Sequence, residues 1–204
     1  MLYELATFTI KIGAGAKVSE GVERFLSAKD AKGRLLGCWL SEIGQLNQVF
    51  LLREFDHQAD LTQEWMRVYQ SVDPFNASEH IVEMVLDTYQ RFPFVAPVTP
   101  GHYGSFYEIR TYRLKHGGVA GTLAAWEPAL PPRLKISPII TAMYALDGEP
   151  RMTHIWPYES LDQRQAIRAK AVSEGVWPPK GGADWLTGDM RSTIAIPLPI
   201  SPLR

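Results

Sequence analysis

YELATFTIKIG at residues 3–13 returns as YEIRTYRLKHG at residues 107–117. Five of the eleven positions are identical: Tyr3/Tyr107, Glu4/Glu108, Thr7/Thr111, Lys11/Lys115 and Gly13/Gly117. Leu5/Ile109, Phe8/Tyr112 and Ile10/Leu114 keep their character. Each copy alternates through aromatic and β-branched residues and stops at glycine, which reads as a strand leaving into a turn.

The segment after each strand also repeats. Val18, Val22 and Phe25 recur at four-three spacing, as do Val119, Leu123, Trp126 and Leu130. That is one apolar face of a helix. Gly33 is expected to end the first helix and Pro131–Pro132 the second. Two extended segments come next in each copy, Arg34–Glu42 with Gln48–Phe55 and Ile139–Leu146 with Arg151–Tyr158. The second pair is joined across Asp147-Gly148, a strong hairpin signal. Helices are predicted over 61–72 and 161–175. Closing strands at 81–90 and 190–196 each run into a proline-rich tail.

The order is therefore β-α-β-β-α-β, twice. That is the ferredoxin-like unit, an antiparallel sheet with two helices on one face. The expected class is α+β, with two tandem ferredoxin-like repeats, 1–100 and 101–204. The bare sheet faces are expected to cover one another as a barrel-type pseudo-dimer. Pro97, Pro100 and Gly101 mark the boundary.

Composition narrows the function classes. The chain has 204 residues, and its Lys+Arg 21 against Asp+Glu 22 give a net charge of −1. No basic stripe is present to displace counterions from nucleic acid or to hold an anionic membrane surface. Cys38 is the single cysteine, so no intrachain disulfide can form and a reducing, cytoplasmic location is expected. The opening residues read as a strand rather than a signal peptide.

Familiar catalytic motifs fail. Gly13-Ala14-Gly15 stands between strand and helix, but Val18 occupies the third glycine position of a dinucleotide fingerprint. His57, His80, His102, His116 and His154 show no metal spacing, and no metal is expected. His154 stands out. It shares a strand face with Met152, Trp156 and Tyr158, whereas Ile155, like Leu52, suits a helix-covered face. This turns His154, Trp156 and Tyr158 toward the barrel interior. There His154 is either a hydrogen-bonded core residue or a proton acceptor or haem ligand. Glu108 and Arg110 share a face with Tyr112, and pair if that face is buried. They either anchor an anionic or polar ligand or form a solvated strand end. Trp39 could line a cavity, whereas Trp65 and Trp126 on helical apolar faces read as core.

Three segments carry a family resemblance: YEIRTYRLKHGG at 107–118, GCWLSEIGQLNQV at 37–49 and MTHIWPYESLDQR at 152–164. The chain resembles the NIPSNAP family of the dimeric α+β barrel superfamily. The family motif is split between the copies. The first keeps Gly37, Trp39, Glu42, Gly44, Leu46 and Asn47 but has Leu51 at the histidine position. The second keeps His154, Trp156, Tyr158, Leu161 and Arg164. The resemblance implies the fold but no settled reaction.

The leading expectation is an interior pocket for a small hydrophobic or aromatic ligand, lined by Trp39, Asn47, Glu108, Arg110, Tyr112, Trp156 and Tyr158, with no cofactor. The superfamily implies an alternative. In it a cofactor-free monooxygenase uses His154 as base with Tyr158, Trp39 and Asn47 positioning substrate, or a haem-binding enzyme uses the same barrel. A third reading is a structural homo-oligomer or partner-binding module.

Overall fold

The computed structural model describes residues 1–204. The first repeat runs β1 (Leu2–Ile10), α1 (Gly15–Leu26), β2 (Arg34–Ile43), β3 (Gln48–Phe55), α2 (Gln58–Gln70) and β4 (Ile81–Arg91). The second runs β5 (Phe106–Leu114), α3 (Gly118–Leu134), β6 (Thr141–Ala145), β7 (Arg151–Tyr158), α4 (Leu161–Ser173) and β8 (Leu186–Pro197). Short 3-10 turns at Pro74–Asn76 and Gly182–Trp185 precede the closing strands. The β-α-β-β-α-β order holds in both.

Two compact units form, and each takes in a segment from outside its own repeat. One contains Met1–Tyr89, Pro100–His102 and Ala195–Arg204; the other contains Gln90–Thr99 and Tyr103–Ile194. In the first unit β1 lies between β3 and β4, and β2 pairs with β3, all antiparallel. The C-terminal tail joins this unit at β2, where Leu198 N–H donates to the Cys38 carbonyl at 2.9 Å and Cys38 N–H to Ser201 Oγ at 2.9 Å. In the second unit β7 lies between β5 and β6. The 90–99 segment joins it through Phe92 N–H to the Ala142 carbonyl at 2.8 Å.

The helices pack as their periodicity requires. Val18, Val22 and Phe25 of α1 are buried against Ala6, Phe8, Cys38 and Leu51. Burying each such side chain contributes about 1.5–3 kcal/mol. α1 ends at Leu26, earlier than Gly33, which instead turns the chain into β2 at φ +80°. α3 runs on through Pro128, Pro131 and Pro132 to Leu134. Proline's fixed φ is itself helical, so the path continues, although each of the three gives up the N–H donor to the carbonyl four residues back.

The sheet faces are reversed from expectation. Leu51 and Arg53 face the helices of the first unit, and His154 and Trp156 face those of the second. Leu52 and Ile155 point the other way. Strand alternation tells which residues share a face, not which face receives the helices.

Candidate functional site

On β5 and β7, Glu108 pairs with Trp156, Arg110 with His154 and Tyr112 with Met152. These residues share the helix-side face. α4 is capped by Ser160, whose Oγ accepts from Gln163 N–H at 3.0 Å, and their four-residue spacing places Arg164 and Arg168 one turn apart on it. α3 brings Trp126 and Arg133 from above. Trp177 and Pro178 follow α4, and the Gly182–Trp185 turn closes the side. Between sheet and helices lies a cavity of about 270 Å³, lined by Arg110, Tyr112, Trp126, Arg133, His154, Trp156, Tyr158, Arg168 and Trp177 among others. That is near the small end of ligand pockets, which run roughly 300–1,000 Å³.

The walls are aromatic. Trp177 meets Trp126 edge-on at 4.8 Å between centroids and Trp156 at 5.8 Å. His154 lies 5.0 Å from both Trp126 and Tyr112. It is 3% exposed. Trp156 Nε1–H donates to His154 Nδ1 at 2.6 Å. An occupied acceptor at Nδ1 puts the imidazole hydrogen on Nε2. Nε2 is buried and has no hydrogen-bond partner. Burial first, and the Arg110 charge second, push the His154 pKa down to about 3. The ring is neutral near pH 7 and offers one unused N–H.

Charge gathers beside it. Glu108 Oε1 accepts from Arg110 Nη1 at 2.5 Å, Arg164 Nη2 at 2.5 Å and Ser192 Oγ at 2.8 Å. Arg168 stands 3.7 Å from Oε2. Burial pushes the Glu108 carboxyl up, but the Arg164 hydrogen bond, the Arg110 charge and Ser192 together outweigh it and hold the pKa at about 2. Arg110 Nε also donates to the Tyr112 hydroxyl. Arg133, 3% exposed, donates to Ser137 Oγ at 2.8 Å and lies 4.3 Å from the Trp156 ring centroid. No carboxylate is within ion-pair distance of it. Burial lowers its pKa.

The first unit fills the corresponding space. Arg53 stands where Trp156 does, Leu51 where His154 does, Ala6 where Arg110 does and Phe8 where Tyr112 does. Arg53 donates to Glu4 at 2.7 Å and to Glu64 at 2.7 Å, and Trp65 Nε1 to Glu4 at 2.6 Å. Arg53, Glu4 and Glu64 are fully buried. The same β-strand carboxylate, Glu4 or Glu108, thus anchors a closed polar core in one repeat and the edge of a cavity in the other.

Of the residues expected at a pocket, Arg110, Tyr112, His154, Trp156 and Tyr158 line this one, and Glu108 braces Arg110 from behind. Trp39 and Asn47 do not line it. Trp39 pairs with Phe50 on the sheet face away from α1 and lies over Gly37, where a Cβ would come within 2.0 Å of its ring. Asn47, at φ +57°, shapes the β2–β3 turn. Neither has a cavity-lining counterpart in its own unit's helix-side face, because strand parity and turn position point them elsewhere. Sequence reading missed Trp126, Arg133, Arg168 and Trp177. The four-three periodicity carried Trp126 as core, and ending α3 at Pro131 left Arg133 off the helix.

No helix is long and apolar enough to cross a membrane. The NIPSNAP family model matches residues 3–96 and again 107–202. "Protein NipSnap homolog" from Dictyostelium discoideum is 28% identical over 86% of this chain and 78% of its own length. "Protein NipSnap homolog 2" from Mus musculus is 26% identical over 100% of this chain and 76% of its own. The solved structure of an anthrone oxidase-like protein superposes at a TM-score of 0.69, covering 98% of this chain and 93% of that one at 12% identity. The chain belongs to the NIPSNAP family, and its fold is the dimeric α+β barrel class, with two ferredoxin-like repeats in one chain.

Proposed function

We propose that this NIPSNAP-family chain is a small-molecule binding protein whose ligand, partly aromatic or hydrophobic, sits in the second repeat. One observation carries the reading: His154, whose buried Nε2–H has no partner, lines an aromatic cavity. An unpaired buried donor costs about 1–3 kcal/mol, and a ligand acceptor removes that cost. Titration of tryptophan emission with naphthalene-sized probes tests it. Saturable one-site binding, weakened at least tenfold in Trp177→Ala, is expected. Absence of saturable binding to the wild-type chain would overturn it.

The oxygenase reading rests on fold likeness alone, and the site opposes its chosen base. A general base needs a free lone pair, and the one on His154 accepts from Trp156. Haem fits no better. Its iron would need that same lone pair, and the cavity is smaller than the macrocycle. A purely structural role leaves the cavity and its unpaired donor without a purpose. We also propose a cytoplasmic homo-oligomer, which light scattering of the purified chain and fractionation of cells would check.

A further inference from the structure

The electrostatics of the cavity are lopsided. Four guanidiniums, Arg110, Arg133, Arg164 and Arg168, gather around one carboxylate, Glu108, and His154 adds no charge. Arg110 and Arg164 are bound to Glu108 Oε1. Arg133 is different: it is buried, stacked on Trp156 and held by the neutral hydroxyls of Ser137 and Tyr158, with the Glu108 charge acting on it only from beyond ion-pair distance. Arg168 is 42% exposed and meets Glu108 only at 3.7 Å. Both line the cavity. A buried cation without a direct ion pair is costly, so the missing partner is an anion.

We propose that the cavity takes a small planar aromatic carboxylate, its carboxylate on Arg133 and Arg168, its ring against the wall formed by Trp126, Trp156 and Trp177, and an acceptor atom facing His154 Nε2. This rests on the ligand-pocket reading and adds the ligand's charge and shape. Guanidinium matches carboxylate in a two-pronged way, and edge-on indoles accept a flat ring. Arg168, at the exposed side, is suited to draw the anion in. In the first repeat Arg53 already has Glu4 and Glu64 as its anions, which is why that space needs no ligand.

The test is a calorimetric titration of the full chain with 2-naphthoate and indole-3-carboxylate, each beside its neutral amide. At least one acid should bind tenfold or more tighter than its amide, and rising salt should erode the preference. Arg168→Gln, half-exposed and safe for folding, should cut the acid's affinity several-fold and the amide's by less, so that the acid preference shrinks. Arg133→Gln should abolish it if the variant folds. Acid and amide binding equally would overturn this inference while leaving the pocket reading intact. Binding of neither pair would overturn both. An acid preference unchanged in Arg168→Gln and Arg133→Gln would place the anion elsewhere and overturn the assignment.

Discussion

Trp156 Nε1–H donates to His154 Nδ1 at 2.6 Å along the strand β7 that both residues occupy. Two residues apart, they share a face. The bond orients the imidazole and settles which nitrogen is protonated. It also makes His154 a poor proton acceptor.

The first prediction concerns acid sensitivity. His154 has its pKa lowered from 6.5 to about 3. A depressed folded-state pKa means stability is full above pH 6.5 and lost as pH falls toward 3. Between pH 6.5 and 5 the loss is about 2 kcal/mol. Urea unfolding at pH 7 and 5 should show this drop in the wild-type chain and little of it in His154→Leu, which copies Leu51 of the first repeat. An identical drop in both would show that His154 is not the buried neutral group described.

Glu108 obeys the same sign at lower pH. Its carboxyl is held at about 2 rather than 4.5. Its contribution is present above pH 4.5 and disappears as pH falls through 2. The size is on the order of 3 kcal/mol. Glu108→Gln should therefore be destabilised at pH 7, and the gap to wild type should narrow between pH 4.5 and 2.5. A gap independent of pH would mean that packing, not charge, sets the effect.

Much of this was legible in the chain itself. Repetition of YELATFTIKIG gave two units, and the switch from period two to period 3.6 gave their element order. His154, Trp156, Tyr158, Arg110 and Tyr112 are gathered because alternate residues on paired strands must share a face. The facing was not legible, since alternation is symmetric between the sides of a sheet. Nor were Arg133, Arg168 and Trp177. They reach the cavity from α3, α4 and the loop after α4, and the apolar periodicity that marks a helix's packed face does not single out an arginine or a loop tryptophan beside it. Trp39 and Asn47 show the opposite error. A motif read along the family pattern placed them with His154, but they belong to the other repeat.

Arg53 supports a third prediction. It is wholly buried between Glu4 and Glu64. Removing it leaves Glu4 buried without a cation, whereas Glu64 keeps Arg67 at 2.7 Å, and breaking such a buried pair costs about 3–5 kcal/mol. Arg53→Met should lose that much by chemical denaturation. Adding Glu4→Leu should recover part of the loss, because one stranded charge goes with it. Strict additivity of the two substitutions would show that the residues are not coupled.

The last prediction compares two helical glycines. A Cβ on Gly21 of α1 would come within 2.4 Å of the Asn76 carbonyl oxygen. That oxygen belongs to the turn where Phe75 and Asn76 hold φ of +56° and +50°, so the backbone cannot easily yield. A Cβ on Gly121 of α3 would meet the Trp185 ring at 2.0 Å, but this indole is partly exposed and can swing outward. Alanine gains about 1 kcal/mol over glycine inside a helix. Overpacking against a fixed wall costs about 1–3 kcal/mol. Gly21→Ala should therefore be destabilising, since its clash exceeds its propensity gain. Gly121→Ala should be near neutral, since the ring gives way. Thermal melts of the two variants decide it. Equal losses would mean that Trp185 is as rigidly held as the Asn76 backbone, and that the turn closing the cavity does not yield.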